Sequence, residues 1–235
     1  IYIGGGTPSL LDSKYIVEIM QTIQENFEVA KDAEITIEAN PGTVTLEKLQ
    51  AYFESGINRI SIGLQSTYDT LLKQLGRIHT YQEFLDTYYL VKQVGFENIN
   101  IDLMLGLPNQ TVQEIQNSVE EVIGLEPEHI SLYSLIIEEG TKLEKQIQNG
   151  ELTLPEETVE REMYWKTKQL LEESGYIHYE ISNFAKEGYQ SKHNSDCWEQ
   201  KEYIGFGAGA HSYTNRIRYS NREEIEEYIK NCLLY

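Results

Sequence analysis

Ile1-Tyr2-Ile3-Gly4-Gly5-Gly6-Thr7-Pro8-Ser9-Leu10 opens the chain, and its reading decides the fold. A short apolar run enters three glycines, and a helical pattern follows at once. Three glycines in a row carry no side chains, so a ligand can reach the backbone, and glycine tolerates positive φ. Pro8 then fixes φ and helps launch the next segment. A triple glycine also serves as a plain tight strand-to-helix turn. The rest of the chain favours a ligand loop, because strand after strand ends in a polar residue that can face the same spot.

Working outward, one unit recurs: a helix, a stop that is usually glycine, two to four residues, then a strand. ESGINRISIG, QVGFENINID and ESGYIHYEIS are three copies of it. Strands are expected at Ile1–Ile3, Glu34–Asn40, Arg59–Gln65, Asn98–Leu105, His129–Leu135 and Tyr176–Ile181. Asp12 or Ser13 caps a first helix with the apolar face Ile16, Ile19, Met20, Ile23 and Phe27, at helical spacing. Thr45 caps the next helix, and Thr80 with Glu83 and Thr111 with Glu114 read as capping boxes. Short helices are expected near Asp69–Leu75 and Lys142–Gln148, and a long one from Pro155 to Ser174. The spacing leaves room for crossover helices, so the strands should run parallel. Such units build a doubly wound sheet or a barrel. A partial (β/α)6 barrel is preferred, since six units show no reversal. Both folds place ligands at the carboxyl ends of the strands.

Past Phe184 the style changes. Residues 1–184 form the expected core, and 185–235 read as the beginning of an accessory region. That region holds a polar stretch, the glycine-rich Gly205–Ala210, an amphipathic helix over Arg222–Lys230 and a cut-off end at Cys232–Tyr235.

The chain has 235 residues, 40% of them hydrophobic, enough for one core plus a small addition. Its net charge of −19 excludes a phosphate-backbone partner, because nucleic-acid binding needs a basic stripe. No apolar run approaches the ~20 residues that span a bilayer, so membrane association is expected only through partners. Two cysteines, Cys197 and Cys232, make no disulfide framework and point to a reducing, cytoplasmic setting. The start lacks an initiator Met and begins inside a strand, so further sequence is expected upstream.

Glu38 and Asp102 put carboxylates at matching ends of parallel strands, where a buried charge must be paired or bind something. For either one alone, a salt bridge to a helix is the simpler explanation; two together favour a site. Asn40, Gln65, Ser66, Tyr133, Ser134, Glu180 and Asn183 also fall at strand ends. This set suits a ligand with an amine and a ribose. Glu38 and open backbone at Gly5 and Gly6 accept from an ammonium, and Asp102 and Gln65 take vicinal hydroxyls. Arg77 can pair with a ligand carboxylate or be a surface arginine. His79 reads as surface.

IYIGGGTPSLL, EITIEANPGTV, INRISIGLQS, LGRIHT, NIDLMLGLPNQT, HISLYSLIIEEGT and YEISNFAKEGYQSKHNSDCW…YIGFGAGAHSY occur in that order. Together they resemble the radical S-adenosylmethionine (SAM) family, in the branch of oxygen-independent coproporphyrinogen III oxidase, and within it the heme chaperones. The resemblance implies that Gly5, Gly6 and Thr7 hold the methionyl part of SAM and that Glu38 contacts it. Gln65, Arg77 and Asp102 match further SAM-contacting positions. It implies no catalytic side chain in this chain. A C-x3-C-x2-C loop for a 4Fe-4S cluster is implied upstream of Ile1, so the cluster cysteines and first strand are expected outside this sequence.

His193-Asn194-Ser195-Asp196-Cys197-Trp198 matches the HNxxYW motif of the heme chaperones, with Cys197 in place of Tyr. His193, and by position Cys197, are the implied heme ligands. The implied function is to bind heme and deliver it to apo-hemoproteins. The alternative is oxidative decarboxylation of coproporphyrinogen III to protoporphyrinogen IX.

Overall fold

A computed structural model describes residues 1–232; the expected cut-off end at Cys232–Tyr235 falls outside these apart from the Cys232 backbone. The chain divides into two compact units, Ile1–Gln190 and Ser191–Tyr235.

In the first unit, strands β1 (Tyr2–Ile3), β2 (Thr36–Ala39), β3 (Arg59–Gln65), β4 (Ile99–Leu105) and β5 (His129–Ser134) lie side by side in chain order, all parallel. Helices α1 (Ser13–Asn26), α2 (Leu46–Glu54), α4 (Tyr81–Val94) and α5 (Val112–Gly124) make the crossovers, and α3 (Asp69–Gln74) is a short helix after β3. Right-handed crossovers between neighbouring strands put every helix on one face of the sheet. That is the barrel arrangement rather than the doubly wound one. The helix caps are those legible in the sequence. Thr80 and Thr111 form complete capping boxes with Glu83 and Glu114, Asp12 caps α1, and Thr45 caps α2.

The sheet closes differently from the expected sixth parallel strand. After α6 (Lys142–Gln148) and α7 (Glu157–Glu173), only Ile177–His178 of the stretch 176–181 is strand (β6). The chain turns over 179–182 and returns as β7 (Asn183–Ala185), antiparallel to both β5 and β6. Ser182 fixes the turn: its N–H donates to the Glu180 carboxylate and its carbonyl accepts from Leu132 N–H.

The core fills the space between sheet and helices. Ile37, Ile60, Ile62, Leu64, Ile99, Ile101, Leu103, Leu105, Ile130 and Leu132 point to the helix side and are fully buried. Ile16 and Met20 of α1 meet this layer, whereas Ile19 and Phe27, expected on the same stripe, are exposed.

The second unit contains α8 (Lys192–Trp198), a hairpin of β8 (His211–Thr214) and β9 (Ile217–Ser220), and α9 (Ile225–Cys232). Asn215 and Arg216 both take positive φ, 51° and 62°, as a two-residue hairpin turn with the strands' own twist demands.

Candidate active site on the inner face of the sheet

Side chains alternate across a strand, so the residues between the core positions face the other way. Register aligns them: Glu38 pairs with Ser61, Ser61 with Asn100 and Asn100 with His129; Gly63 pairs with Asp102 and Asp102 with Ser131. The sheet therefore has an apolar face under the helices and a polar inner face. Glu38 and Asp102 share that inner face with Gly5 at its edge.

The Glu38 carboxylate uses both oxygens. Oε1 accepts from the Tyr2 hydroxyl at 2.7 Å, and Oε2 accepts from Gly5 N–H at 3.1 Å. Two of the three glycines are forced. A Cβ on Gly4 would sit 2.6 Å from Tyr2 Cε1 and 2.9 Å from the Glu38 carboxylate, and Gly5 holds φ at 112°. A Cβ on Gly5 or Gly6 would meet open space, so the loop offers bare backbone above Glu38. Burial, with the Glu38 charge and hydrogen bond, pushes the Tyr2 hydroxyl far above its ordinary pKa, so it stays protonated and donating.

Thr7 joins this edge through Asn40, whose Nδ2 donates to Thr7 Oγ1 at 3.1 Å. Arg77 Nη1 donates to Asn40 Oδ1 at 3.1 Å. Arg77 is thus drawn to the site's rim and is not a surface arginine; burial lowers its pKa, and the Asp102 charge opposes that. Gln65 is buried and holds φ at 73°, where β3 shifts register between Gly63 and Gln65. A Cβ on Gly63 would lie 2.9 Å from both Asn40 Oδ1 and Gln65 Nε2, so the two amides meet over a glycine. The same irregularity corrects the reading of His79 as surface. His79 is 6% exposed, with Nε2 3.2 Å from the Leu64 carbonyl, and burial lowers its pKa.

Asp102 is held from the other side. Asn100 Nδ2 lies 2.7 Å from both Asp102 Oδ1 and Ser61 Oγ, and Ser61 Oγ donates to Asp102 Oδ2 at 3.2 Å. Asn100 Oδ1 in turn faces His129 Nδ1 at 2.5 Å, and His129 Nε2 faces the Tyr179 hydroxyl at 2.7 Å. Nδ1 therefore carries the His129 proton and Nε2 accepts. Burial, then the Arg59 charge, pushes the His129 pKa well down, so the imidazole is neutral. Burial raises the Asp102 pKa, against the two hydrogen bonds that favour its ionised form. Neither carboxylate makes a salt bridge to a helix among the described residues; each is held by hydrogen bonds on its own face.

Tyr2, Ser61, Gly63, Asn100 and His129 escaped notice in the sequence. The signal was there in RISIGLQ and NINID, where every second residue beside the apolar ones is small or polar.

In the second unit, Ser191 caps α8, and its side chain accepts from Asn194 N–H. His193 and Cys197 lie one turn apart, with Nε2 and Sγ separated by 3.9 Å. Burial raises the Cys197 pKa, and the Arg218 charge works against it.

The model of the radical SAM superfamily matches residues 1–122, just over half of the chain. The chain belongs to the radical SAM superfamily. The heme chaperone HemW of Lactococcus lactis subsp. lactis (strain IL1403) is 41% identical over 230 residues, 98% of this chain and 61% of that protein. HemW of Escherichia coli (strain K12) is 42% identical over 211 residues, 90% of this chain and 55% of that one. The chain thus spans about three fifths of the length of these curated relatives. Among solved structures, the radical SAM enzyme coproporphyrinogen III oxidase (HemN) from Escherichia coli superposes with a TM-score of 0.85. The match covers 99% of this chain and 56% of that one, at 24% identity, a likeness of fold.

Membership of the superfamily implies SAM and a 4Fe-4S cluster. The inner face fits SAM: carboxylates for an ammonium and for hydroxyls, a guanidinium for a carboxylate, and uncovered glycine backbone beside them. It does not fit the cluster, which needs three thiolates where the chain has two cysteines. Among the described residues no group of three His, Cys, Asp or Glu is placed to hold a metal ion. No helix among them is long and apolar enough to cross a membrane.

Proposed function

We propose that this chain is the SAM-binding scaffold of a cytoplasmic protein that binds heme and hands it to apo-hemoproteins. The observation that carries the reading is 41% identity, over 98% of the chain, to a protein named a heme chaperone. On the inner face, Glu38 and the backbone at Gly5 and Gly6 take the ammonium of SAM, and Thr7 lies beside them. Asp102 and Gln65 take the ribose hydroxyls, and Arg77 the carboxylate. SAM supplies the 5′-deoxyadenosyl group; these residues bind and orient it.

Heme is the cargo, and His193 is its axial ligand through the imidazole, with Cys197 beside it. A ligand on a seven-residue helix at partial exposure suits release as much as capture. The test is a heme titration of the chain and of His193→Ala. The expected outcome is a shifted Soret band and weaker binding in the variant; identical spectra and affinities would remove His193 from the site. Turnover of coproporphyrinogen III to protoporphyrinogen by the full-length protein would replace the chaperone reading with the oxidase one.

A further inference from the structure

Two hydrogen-bonded arms run from one turn to one atom. The turn is 179–182, where the chain reverses between β6 and β7, and the atom is Asn100 Oδ1. Along the first arm the Tyr179 hydroxyl donates to His129 Nε2 at 2.7 Å, and His129 Nδ1–H donates to Asn100 Oδ1 at 2.5 Å. Along the second, Asn183 Nδ2 donates to the Glu180 carboxylate. Ser131 Oγ then lies 2.6 Å from Asn183 Oδ1 and 3.0 Å from Asn100 Oδ1. Asn100, His129, Ser131 and Asn183 are all buried, so water does not compete for these contacts.

An asparagine amide can sit either way round, and turning it over exchanges its donor for its acceptor. With Oδ1 held by donors, Nδ2 faces the other way, 2.7 Å from both Asp102 Oδ1 and Ser61 Oγ. Turned over, Asn100 would set its oxygen against the Asp102 carboxylate, which could meet it only by taking up a proton. The tautomer of His129 decides between the two. With no hydroxyl donating to Nε2, the ring proton is free to move there. Nδ1 then becomes an acceptor, and the turned amide becomes its better partner.

As it stands, each Asp102 oxygen accepts one hydrogen bond, from Asn100 or from Ser61, and keeps a second acceptor position. The residue is half-buried, so a ligand hydroxyl can reach it. Resting on the SAM reading above, we propose that Tyr179 and His129 are positioning residues for the ribose. They hold Asn100 the way round that keeps Asp102 an acceptor for both hydroxyls, and they act through Asn100 rather than by contact with the ligand.

The test is calorimetric titration of the whole chain with SAM and with its 2′,3′-dideoxyribose analogue, in wild type, Tyr179→Phe and His129→Leu. Wild type is expected to bind SAM about tenfold more tightly than the analogue, the scale of a hydrogen bond to a charged group. Tyr179→Phe removes one oxygen from a half-buried side chain. It should narrow the preference to about threefold by weakening SAM while leaving the analogue unchanged. His129→Leu breaks the same arm at its middle and should narrow it at least as far. A merely loosened fold would weaken both ligands alike and keep the ratio, so an unchanged ratio in Tyr179→Phe would overturn the proposal. So would a wild type that binds SAM and the analogue equally, which leaves the ammonium contacts of the SAM reading standing. A wild type that binds neither would sink both.

Discussion

The inner face of residues 1–190 and helix α8 of 191–232 differ in how far their polar groups are withdrawn from solvent: Asn100, Ser131 and His129 are buried, and no residue of α8 is. On the inner face Glu38, Asp102, Asn100 and His129 each have two or more hydrogen-bond contacts. In 191–232 the guanidinium groups of Arg216, Arg218 and Arg222 make no hydrogen bond or ion pair among the described residues, and Cys197 Sγ lies 3.9 Å from His193 Nε2. The difference teaches what each region is for. A network this dense fixes geometry in advance, which suits a ligand with many polar atoms, and it leaves Thr36 Oγ1 and Arg59 Nε on the same face buried without a partner among the described residues. No residue of α8 is buried, and an exposed ligand suits cargo that must leave.

The sharpest way to break this comparison is to cut the network at its hub. Asn100→Leu leaves the His129 Nδ1–H unpaired and takes a donor each from Ser61 and Asp102. Unfolding in urea should show a loss on the order of 3 kcal/mol, since buried groups left unpaired cost the most. A loss below about 1 kcal/mol would mean that the inner face is not held as a unit.

A smaller effect comes from pH. His129 is neutral in the folded chain because its pKa is well below the ordinary value. The unfolded histidine gains a proton near pH 6.5. Below that pH the unfolded state binds more protons, so stability is complete above about 6.5 and falls as the pH drops. The slope from this group approaches about 1.4 kcal/mol per pH unit. Urea unfolding between pH 8 and 5.5 should be flatter for His129→Gln than for wild type, and an unchanged slope would contradict the buried neutral assignment.

The smallest effect belongs to the other region. Cys197→Ser should move stability by less than about 0.5 kcal/mol, as surface changes do. A larger loss in the same urea assay would show that 191–232 is held as tightly as the inner face.

Much of the fold was legible because its signals are local. The capping boxes at Thr80 and Thr111 each lie within four residues, and strands β2 to β5 formed where their apolar runs stood. Glu38 and Asp102 stood out as carboxylates at strand ends. What stayed hidden depends on distant partners. His79 is buried because β3 bulges at Gln65 and leaves the Leu64 carbonyl to it, and nothing near His79 says so. Tyr176–Ile181 alternates like a strand, but Ser182 is captured by Glu180 and Leu132 and the chain turns. The hairpin of 211–220 lacked the usual glycine, because Asn215 and Arg216 take positive φ themselves. Asn100 and His129 were overlooked because strand-end residues drew notice and mid-strand polar ones did not, although register sets them side by side.

The most direct measurement is calorimetric titration of SAM into wild type and Glu38→Gln. One saturable site, weakened about tenfold in the variant by loss of a charge-assisted contact, is the expected result. Equal affinity in the two proteins, or no binding to wild type, would contradict the assignment of the inner face.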